Sequence, residues 1–300
     1  MEFKKMKDYI PFLVIPAFLI IVELCSLALS VPVQSAGLEA FQNPQSLLDP
    51  ILFLAMILGF TALILVLIRY GFKRIMVWVI GISIFLTFVY TFAAIVPLLV
   101  SSETYQMVLM IACSIIATSL MYLYPEWYVI DTLGLLLAAG VASIFGVSLG
   151  TIPVITLLII LAVYDAVSVY KTKHMITLAE GIIDLKTPIL FVIPKKRDYS
   201  FIKEGIGKIG EGEERSAFII GMGDLIIPSI LVVSANIFTG GVKYLGLINL
   251  PALGAMIGSL VGLMVLLYFV TSGRPQAGLP PLNGGTIIGF VIAWALIGFA

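Results

Sequence analysis

The chain has 300 residues, of which 61% are hydrophobic and 11% are charged, and its mean hydropathy is +1.15. A water-soluble domain of this composition would expose mostly apolar surface, so the sequence predicts a polytopic, all-α membrane protein and excludes a soluble one. The 17 basic and 17 acidic residues cancel, but the basic residues are unevenly distributed along the chain.

Windows of about 20 apolar residues predict nine membrane-spanning helices. The first span contains Glu23 and two prolines and is longer than the apolar core of a secretory signal, so we expect it to be retained. The two cysteines, Cys25 and Cys113, lie inside spans and read as buried apolar residues. The predicted spans are 10–31, 51–68, 75–99, 106–123, 128–147, 151–170, 216–238, 249–270 and 284–300.

The basic residues predict the orientation of these spans. With a cytoplasmic N-terminus, sixteen of the 17 basic residues lie on the cytoplasmic face, and only Lys243 lies outside. Cytoplasmic loops are enriched in Lys and Arg. We therefore expect residues 1–300 to form one membrane-embedded domain with the N-terminus inside and the C-terminus outside.

One sizeable polar segment, residues 170–215, forms a predicted cytoplasmic loop between the sixth and seventh spans. It begins with a predicted amphipathic helix from His174 to Asp184. A proline-bracketed apolar run, Pro188 to Pro194, then predicts a short strand. Glycines alternating with charged residues at 205–212 are typical of a linker.

Two aspartates lie inside predicted spans next to this loop. Asp165 is expected about 9 Å from the cytoplasmic end of the sixth span, and Asp224 about 13 Å from that end of the seventh. A carboxylate in hydrocarbon costs about 3 kcal/mol or more, so such residues usually mark function. Their similar depth predicts a pair that shares one proton.

This pair indicates acid–base chemistry. The ionised carboxyl can take a proton from water while the protonated one polarises a peptide carbonyl. Gly221 and Gly223 precede Asp224 and would let a substrate backbone approach closely. We therefore expect Asp165 and Asp224 to be catalytic.

Tyr164-Asp165 and Gly221-Met222-Gly223-Asp224 resemble the paired motifs of the presenilin and signal peptide peptidase family of intramembrane aspartyl proteases. The family's Pro-Ala-Leu motif before the last helix has its counterpart in Ala277-Gly278-Leu279-Pro280, which keeps only the Leu-Pro end. Pro251-Ala252-Leu253 matches all three residues of the Pro-Ala-Leu motif but is expected on the outer side of the membrane. The resemblance covers nearly the whole chain, which is most similar to a compact microbial (archaeal) presenilin homologue.

The resemblance implies a protease that cuts transmembrane-helix proteins in a lipid bilayer, here a prokaryotic cell membrane. It implies substrate binding by a set of residues around the acids: Tyr164, Gly221, Gly223, Gly278, Leu279 and Pro280. Nothing in the sequence indicates a cofactor, a metal or a nucleic-acid site, and no obligatory accessory subunit is evident. Prolines 280 and 281 are expected to keep the stretch before the last helix extended, so that it and the strand at 189–193 could pair with an unwound substrate.

Other functions fit the residues less well. A proton-coupled transporter or channel also uses intramembrane acids, but it commonly shows an internal repeat, which this sequence lacks. Prepilin peptidases share Gly-x-Gly-Asp but lack the Leu-Pro element, and a membrane scaffold leaves both acids unexplained. Gly146 to Gly150 matches a serine hydrolase motif, yet Ser148 and the single histidine, His174, are expected at opposite faces.

Three further features are expected to be structural. Glu23 is expected to hydrogen bond within the bundle, and Asp131 to lie at the membrane interface. Gly254, Gly258 and Gly262 recur every four residues and predict a packing seam between helices.

Overall fold

The structure, a computed structural model, describes residues 10–172, 188–196, 198–205, 216–244, 246–270 and 276–298. The helix predicted from His174 to Asp184 and most of the glycine-rich linker lie outside these residues. The described helices in chain order are α1 Ile10–Ser35, α2 Leu48–Arg69, α3 Lys73–Ile95, α4 Glu103–Leu123, α5 Trp127–Ser148, α6 Thr151–Val167, α7 Phe201–Glu204, α8 Met222–Phe238, α9 Leu250–Val270 and α10 Leu279–Gly298.

Eight of the described helices are long and apolar enough to cross a membrane, which confirms a polytopic helical membrane protein. Helix α8 is also apolar but has only 17 residues. A 3₁₀ turn, Val96–Leu98, follows α3, and a π-helical turn, Ser168–Thr172, follows α6.

Helix α8 is shorter than predicted because its expected first turn is a strand. Residues 216–221 were expected to be helical, but Ala217–Gly221 forms strand β2, which is antiparallel to β1, Leu190–Pro194. The aromatic and β-branched side chains of this run suit a strand, and a partner strand is present. The strand predicted at Pro188 to Pro194 is confirmed.

The two edges of β1 are both occupied. The amide of Met222 donates to the Ile189 carbonyl, and that of Lys195 to the Ser216 carbonyl. Backbone groups alternate in direction along a strand, so Val192 faces away from β2, and its amide donates to Asp131 Oδ1 at 2.8 Å. Asp131, which was expected at the membrane interface, is buried and holds the β1 edge.

The segment after β1 is anchored to the start of α5. Glu126 accepts hydrogen bonds from the Ser200 hydroxyl at 2.6 Å and from the Phe201 amide at 3.1 Å. The Tyr199 hydroxyl donates to the Gly205 carbonyl at 2.7 Å. Burial raises the pKa of Tyr199 to about 12, so this hydroxyl keeps its proton at neutral pH. These contacts fix the described part of the loop against α5.

Helices α5 and α8 form the centre of the bundle and are largely buried. Helices α1, α6, α9 and α10 pack around them. On the face opposite the β1–β2 ribbon, Lys243–Tyr244 (β3) and Ile248–Asn249 (β4) form a short hairpin between α8 and α9.

The predicted glycine seam joins α9 to α10. A Cβ atom added at Gly254 would meet the Gly289 carbonyl, one at Gly258 the Gly285 carbonyl, and one at Gly262 the Pro281 carbonyl. The two backbones therefore touch along the described length of the seam. Glu23 also behaves as expected, because the hydroxyl of Ser259 on α9 lies 2.6 Å from its Oε1 atom.

Helix α10 begins at Leu279, five residues earlier than expected. Leu279, Pro280 and Pro281 form its first turn, so the expectation of an extended stretch at the two prolines is wrong. Proline suits the first turn of a helix because the amides there have no intrahelical acceptor. Of the four residues Ala277 to Pro280, Ala277 and Gly278 lie outside the helix.

Candidate active site

Asp165 lies two residues before the end of α6, and its carboxyl faces the start of α10. The Leu279 amide donates to Asp165 Oδ2 at 3.0 Å, and the Gly278 backbone is a second hydrogen-bond donor. Asp165 is 5% exposed. These two amides are among the first donors of α10, which have no partner inside the helix.

Asp224 lies two residues after the start of α8 and is only partly buried. The Gly221 backbone, at the N-cap of α8, donates a hydrogen bond to its carboxyl. An acid at this position of the first turn satisfies an N-terminal amide and interacts favourably with the helix dipole. The short β2–α8 junction thus fixes the direction of the Asp224 side chain.

The two acids converge on Gly278. A Cβ atom added at Gly278 would lie 3.5 Å from the carboxyl carbon and both oxygens of Asp224. The same glycine donates to Asp165 through its backbone, and the charges of the two acids act on each other. The structure therefore brings Asp165 and Asp224 to the same glycine.

Both acids lie near the ends of their α-helices. The C-terminal end of α6 and the N-terminal end of α8 are the two ends joined by the connecting segment. Each aspartate lies two residues from that end of its α-helix, at about 3 Å along the helix axis, and the π-helical turn Ser168–Thr172 continues α6 beyond its end. The expected depth of 13 Å for Asp224 counted residues 216–221 as helix, whereas Ala217–Gly221 form strand β2.

The expected glycines border the pair. A Cβ added at Gly221 would lie 3.4 Å from Asp224 Oδ2, whereas one added at Gly223 would meet nothing within 4 Å, and Gly223 is exposed. Of the other expected substrate-binding residues, Tyr164 is partly buried beside Asp165 on α6, and Leu279 and Pro280 open α10. All of them surround the acids in sequence or in space.

Two groups near the site were not expected from the sequence. Tyr170, in the π-helical turn after Asp165, bonds to Gln276 and to the Ala277 amide. Asn283, in α10, donates from Nδ2 to the Leu158 carbonyl of α6 at 2.9 Å. No pattern in the sequence marks them, because each acts on a segment more than 100 residues away.

Other candidates lie elsewhere. Ser148 is buried and bonds to the Ala40 amide and the Ile144 carbonyl. Pro251 to Leu253 form the first turn of α9, which Asn249 caps at the Ala252 amide. The next residue, Gly254, packs against Gly289. Gly289 lies about 15 Å along α10 from Leu279. Within the described residues, no group of three histidine, cysteine or acidic side chains could hold a metal ion.

Comparisons with known proteins agree with this geometry. Residues 16–299 match the family described as signal-peptide peptidase, presenilin aspartyl protease. A solved structure of a presenilin family intramembrane aspartate protease in space group P2 is 46% identical, with a TM-score of 0.70. The structure in space group C222 is 44% identical, with a TM-score of 0.68. Each alignment covers 96% of this chain and 99% of the other. No match was found among curated proteins.

Proposed function

Because the chain belongs to the signal-peptide peptidase and presenilin family of aspartyl proteases, we propose that it cleaves transmembrane helices by activating water between Asp165 and Asp224. It is an integral, multi-pass membrane hydrolase of the intramembrane aspartyl class. The comparisons give no support to a proton-coupled transporter. The observation that carries the proposed mechanism is the convergence of both carboxyls on Gly278.

The pair acts with one proton between its two carboxyls. Two adjacent carboxylates repel each other strongly, so one of them stays protonated. The ionised carboxyl takes a proton from the attacking water, and the protonated one donates a hydrogen bond to the scissile carbonyl. The Gly278 and Leu279 amides hold Asp165 in place, and the Gly221 amide holds Asp224.

The substrate segment adds as a strand to the outer edge of β2. The bonds between β1 and β2 involve Phe218 and Ile220, so the backbone groups of Ala217, Ile219 and Gly221 point to the opposite edge. This β2 edge leads directly to Asp224, which accepts a bond from Gly221. Strand addition supplies main-chain hydrogen bonds to a helix that has been unwound for cleavage. The edge of β1, which the sequence favoured, is taken by Asp131.

Residues 1–300 form one membrane-embedded domain with nine spans, the N-terminus in the cytoplasm and the C-terminus outside. The eight long helices and α8 together make nine spans. The 17 residues of α8 reach about 25 Å, and strand β2, which leads into α8, adds about 16 Å of chain. The acids then face the cytoplasmic half of the bilayer of a prokaryotic cell. Substrates are other membrane proteins, and the chain acts without an accessory subunit.

Cleavage of a transmembrane peptide by the purified protein tests the mechanism. Wild type should release two products, and Asp165→Asn and Asp224→Asn should each abolish cleavage, because the amide can neither take nor supply the proton. Glu23→Gln is the matched control, since Glu23 is a buried acid that bonds to Ser259 away from the pair. Retention of most activity by either aspartate variant would contradict the mechanism.

The same assay should give a bell-shaped dependence of kcat on pH. Activity requires one proton on the pair, so it falls when both carboxyls are protonated and when both are ionised. A profile that stayed flat from acid to alkaline pH, with the fold intact, would speak against a shared proton.

A further inference from the structure

Tyr170 links the end of α6 to the residues that precede α10. Its hydroxyl donates to Gln276 Oε1 at 2.9 Å and accepts from the Ala277 amide at 3.3 Å. A tyrosine hydroxyl can donate one bond and accept another at the same time. The two bonds therefore hold two consecutive residues with one atom.

These contacts form part of a series between α6 and α10, which run in opposite directions. Asn283 binds the Leu158 carbonyl, Leu279 binds Asp165, and the 276–277 pair binds Tyr170. Asp165 is the middle member of the series. The start of α10 is thus tied to α6 on both sides of the catalytic carboxyl.

The stretch that carries the Asp165 donors needs such support. Gly278 lies between the tied residue Ala277 and the first helical residue, Leu279. Glycine restricts the backbone less than any other residue, so the direction of the Gly278 and Leu279 amides depends on how both neighbours are held. On the helical side Asn283 does this, and on the other side Tyr170 does.

We propose that Tyr170 is a positioning residue for proteolysis: its hydroxyl fixes Gln276 and Ala277 so that the next two amides meet Asp165. The inference rests on the proposed catalytic role of Asp165. The hydrogen bonds of the Tyr170 hydroxyl go to Gln276 and Ala277 and not to either acid, so it acts through residues 276–279. The residue is 56% exposed, so removing the hydroxyl leaves no cavity in the core.

Steady-state cleavage by Tyr170→Phe tests the proposal. We expect kcat to fall about tenfold with KM changed by less than about twofold, because misdirected amides affect the transition state more than substrate binding. Tyr70→Phe is the matched control: Tyr70 follows α2, is 67% exposed and stacks on Phe72. The control should keep wild-type kcat and KM.

Gln276→Leu provides an independent variant that does not change the tyrosine. It removes the Oε1 acceptor but keeps the Ala277 bond, so we expect a loss of about threefold in kcat. Thermal unfolding of both variants should match that of wild type. A graded loss, larger for Tyr170→Phe than for Gln276→Leu, supports positioning.

Three outcomes would overturn the proposal. A wild-type kcat for Tyr170→Phe would show that the hydroxyl is not needed. A rise in KM at constant kcat would indicate that Tyr170 contacts the substrate. A fall in Tm large enough to account for the lost activity would indicate that its role is structural. Asp165→Asn, measured in parallel, separates these results from failure of the proposed function, since activity in that variant would remove both conclusions.

Discussion

At the scale of single residues, the space around Asp224 is set by glycines that serve different purposes. Gly278 lies against the Asp224 carboxyl, so a side chain there would contact the acid itself. Gly223 faces open space, so nothing in the free protein requires a glycine at that position. We attribute the absence of a side chain at Gly223 to the approach of the substrate backbone.

Gly223→Ala should therefore impair binding without impairing the fold. The added methyl group meets no atom within 4 Å, and alanine suits a helix better than glycine, so thermal stability should be equal or slightly higher. KM should rise about tenfold, because a misplaced methyl group at the β2 edge displaces the substrate strand.

Gly284→Ala is the control for that substitution, since a Cβ at Gly284 also meets nothing within 4 Å but lies inside α10. It should leave KM unchanged. An unaltered KM in Gly223→Ala would mean that the substrate does not pass close to this glycine.

The acids could be identified from the sequence because a charge in an apolar span is costly wherever the helix ends. The position of Asp131 could not, because it depends on which strand edge packs beside it. Tyr170 is similar: its two partners lie 106 and 107 residues further along the chain. Residue types that are costly to bury are visible in a sequence, whereas long-range partners are not.

At the scale of secondary-structure elements, Glu23 and Ser259 join α1 to α9 inside the bundle. The Ser259 hydroxyl bonds to Glu23 Oε1, and Glu23 Oε2 has no partner among the described residues. Ser259→Ala would leave both oxygens of a fully buried carboxyl without a hydrogen-bond partner among the described residues. We expect a loss of about 1–3 kcal/mol in stability, with kcat unchanged.

The double variant Glu23→Leu/Ser259→Ala should recover much of that loss, because it removes the unsatisfied acid together with its partner. Thermal unfolding in a fixed detergent measures both variants. Equal stability of Ser259→Ala and wild type would show that the bond contributes nothing.

The glycine seam couples packing to catalysis. In Gly258→Ala, the new methyl group would collide with the Gly285 carbonyl, so α9 and α10 must separate. Overpacking of this kind costs about 1–3 kcal/mol. Because α10 also carries Leu279, activity should fall along with Tm.

Gly59→Ala on α2 is the comparison for Gly258→Ala, since its Cβ would meet nothing within 4 Å. It should change neither Tm nor activity. A fully stable and active Gly258→Ala protein would contradict the close approach of the two helices.

Most elements could be predicted from hydropathy, because each span must supply about 20 apolar residues. Two boundaries could not. Residues 217–221 are as apolar as a helix start and become a strand only because β1 lies beside them. Prolines 280 and 281 suggested an extended chain, yet proline is equally suited to a first helical turn. Local composition therefore leaves the elements nearest the acids ambiguous.

At the scale of the whole molecule, the proposed orientation has a direct test. A reporter that is active only outside the cytoplasm should be active when fused after Ala300 and inactive when fused before Met1. The proposed nine spans with the N-terminus inside require this result. Activity at both termini or at neither would show an even number of crossings.

The β2 edge has a consequence for the choice of substrate. Its outward-facing backbone groups are those of Ala217, Ile219 and Gly221, and the Gly221 amide already bonds to Asp224, so the edge can accommodate a stretch of about five residues. A substrate helix must therefore unwind over about one and a half turns before hydrolysis. Targets would then be ranked by the local stability of that short stretch, and glycine or β-branched residues near the cut would matter more than any specific side chain.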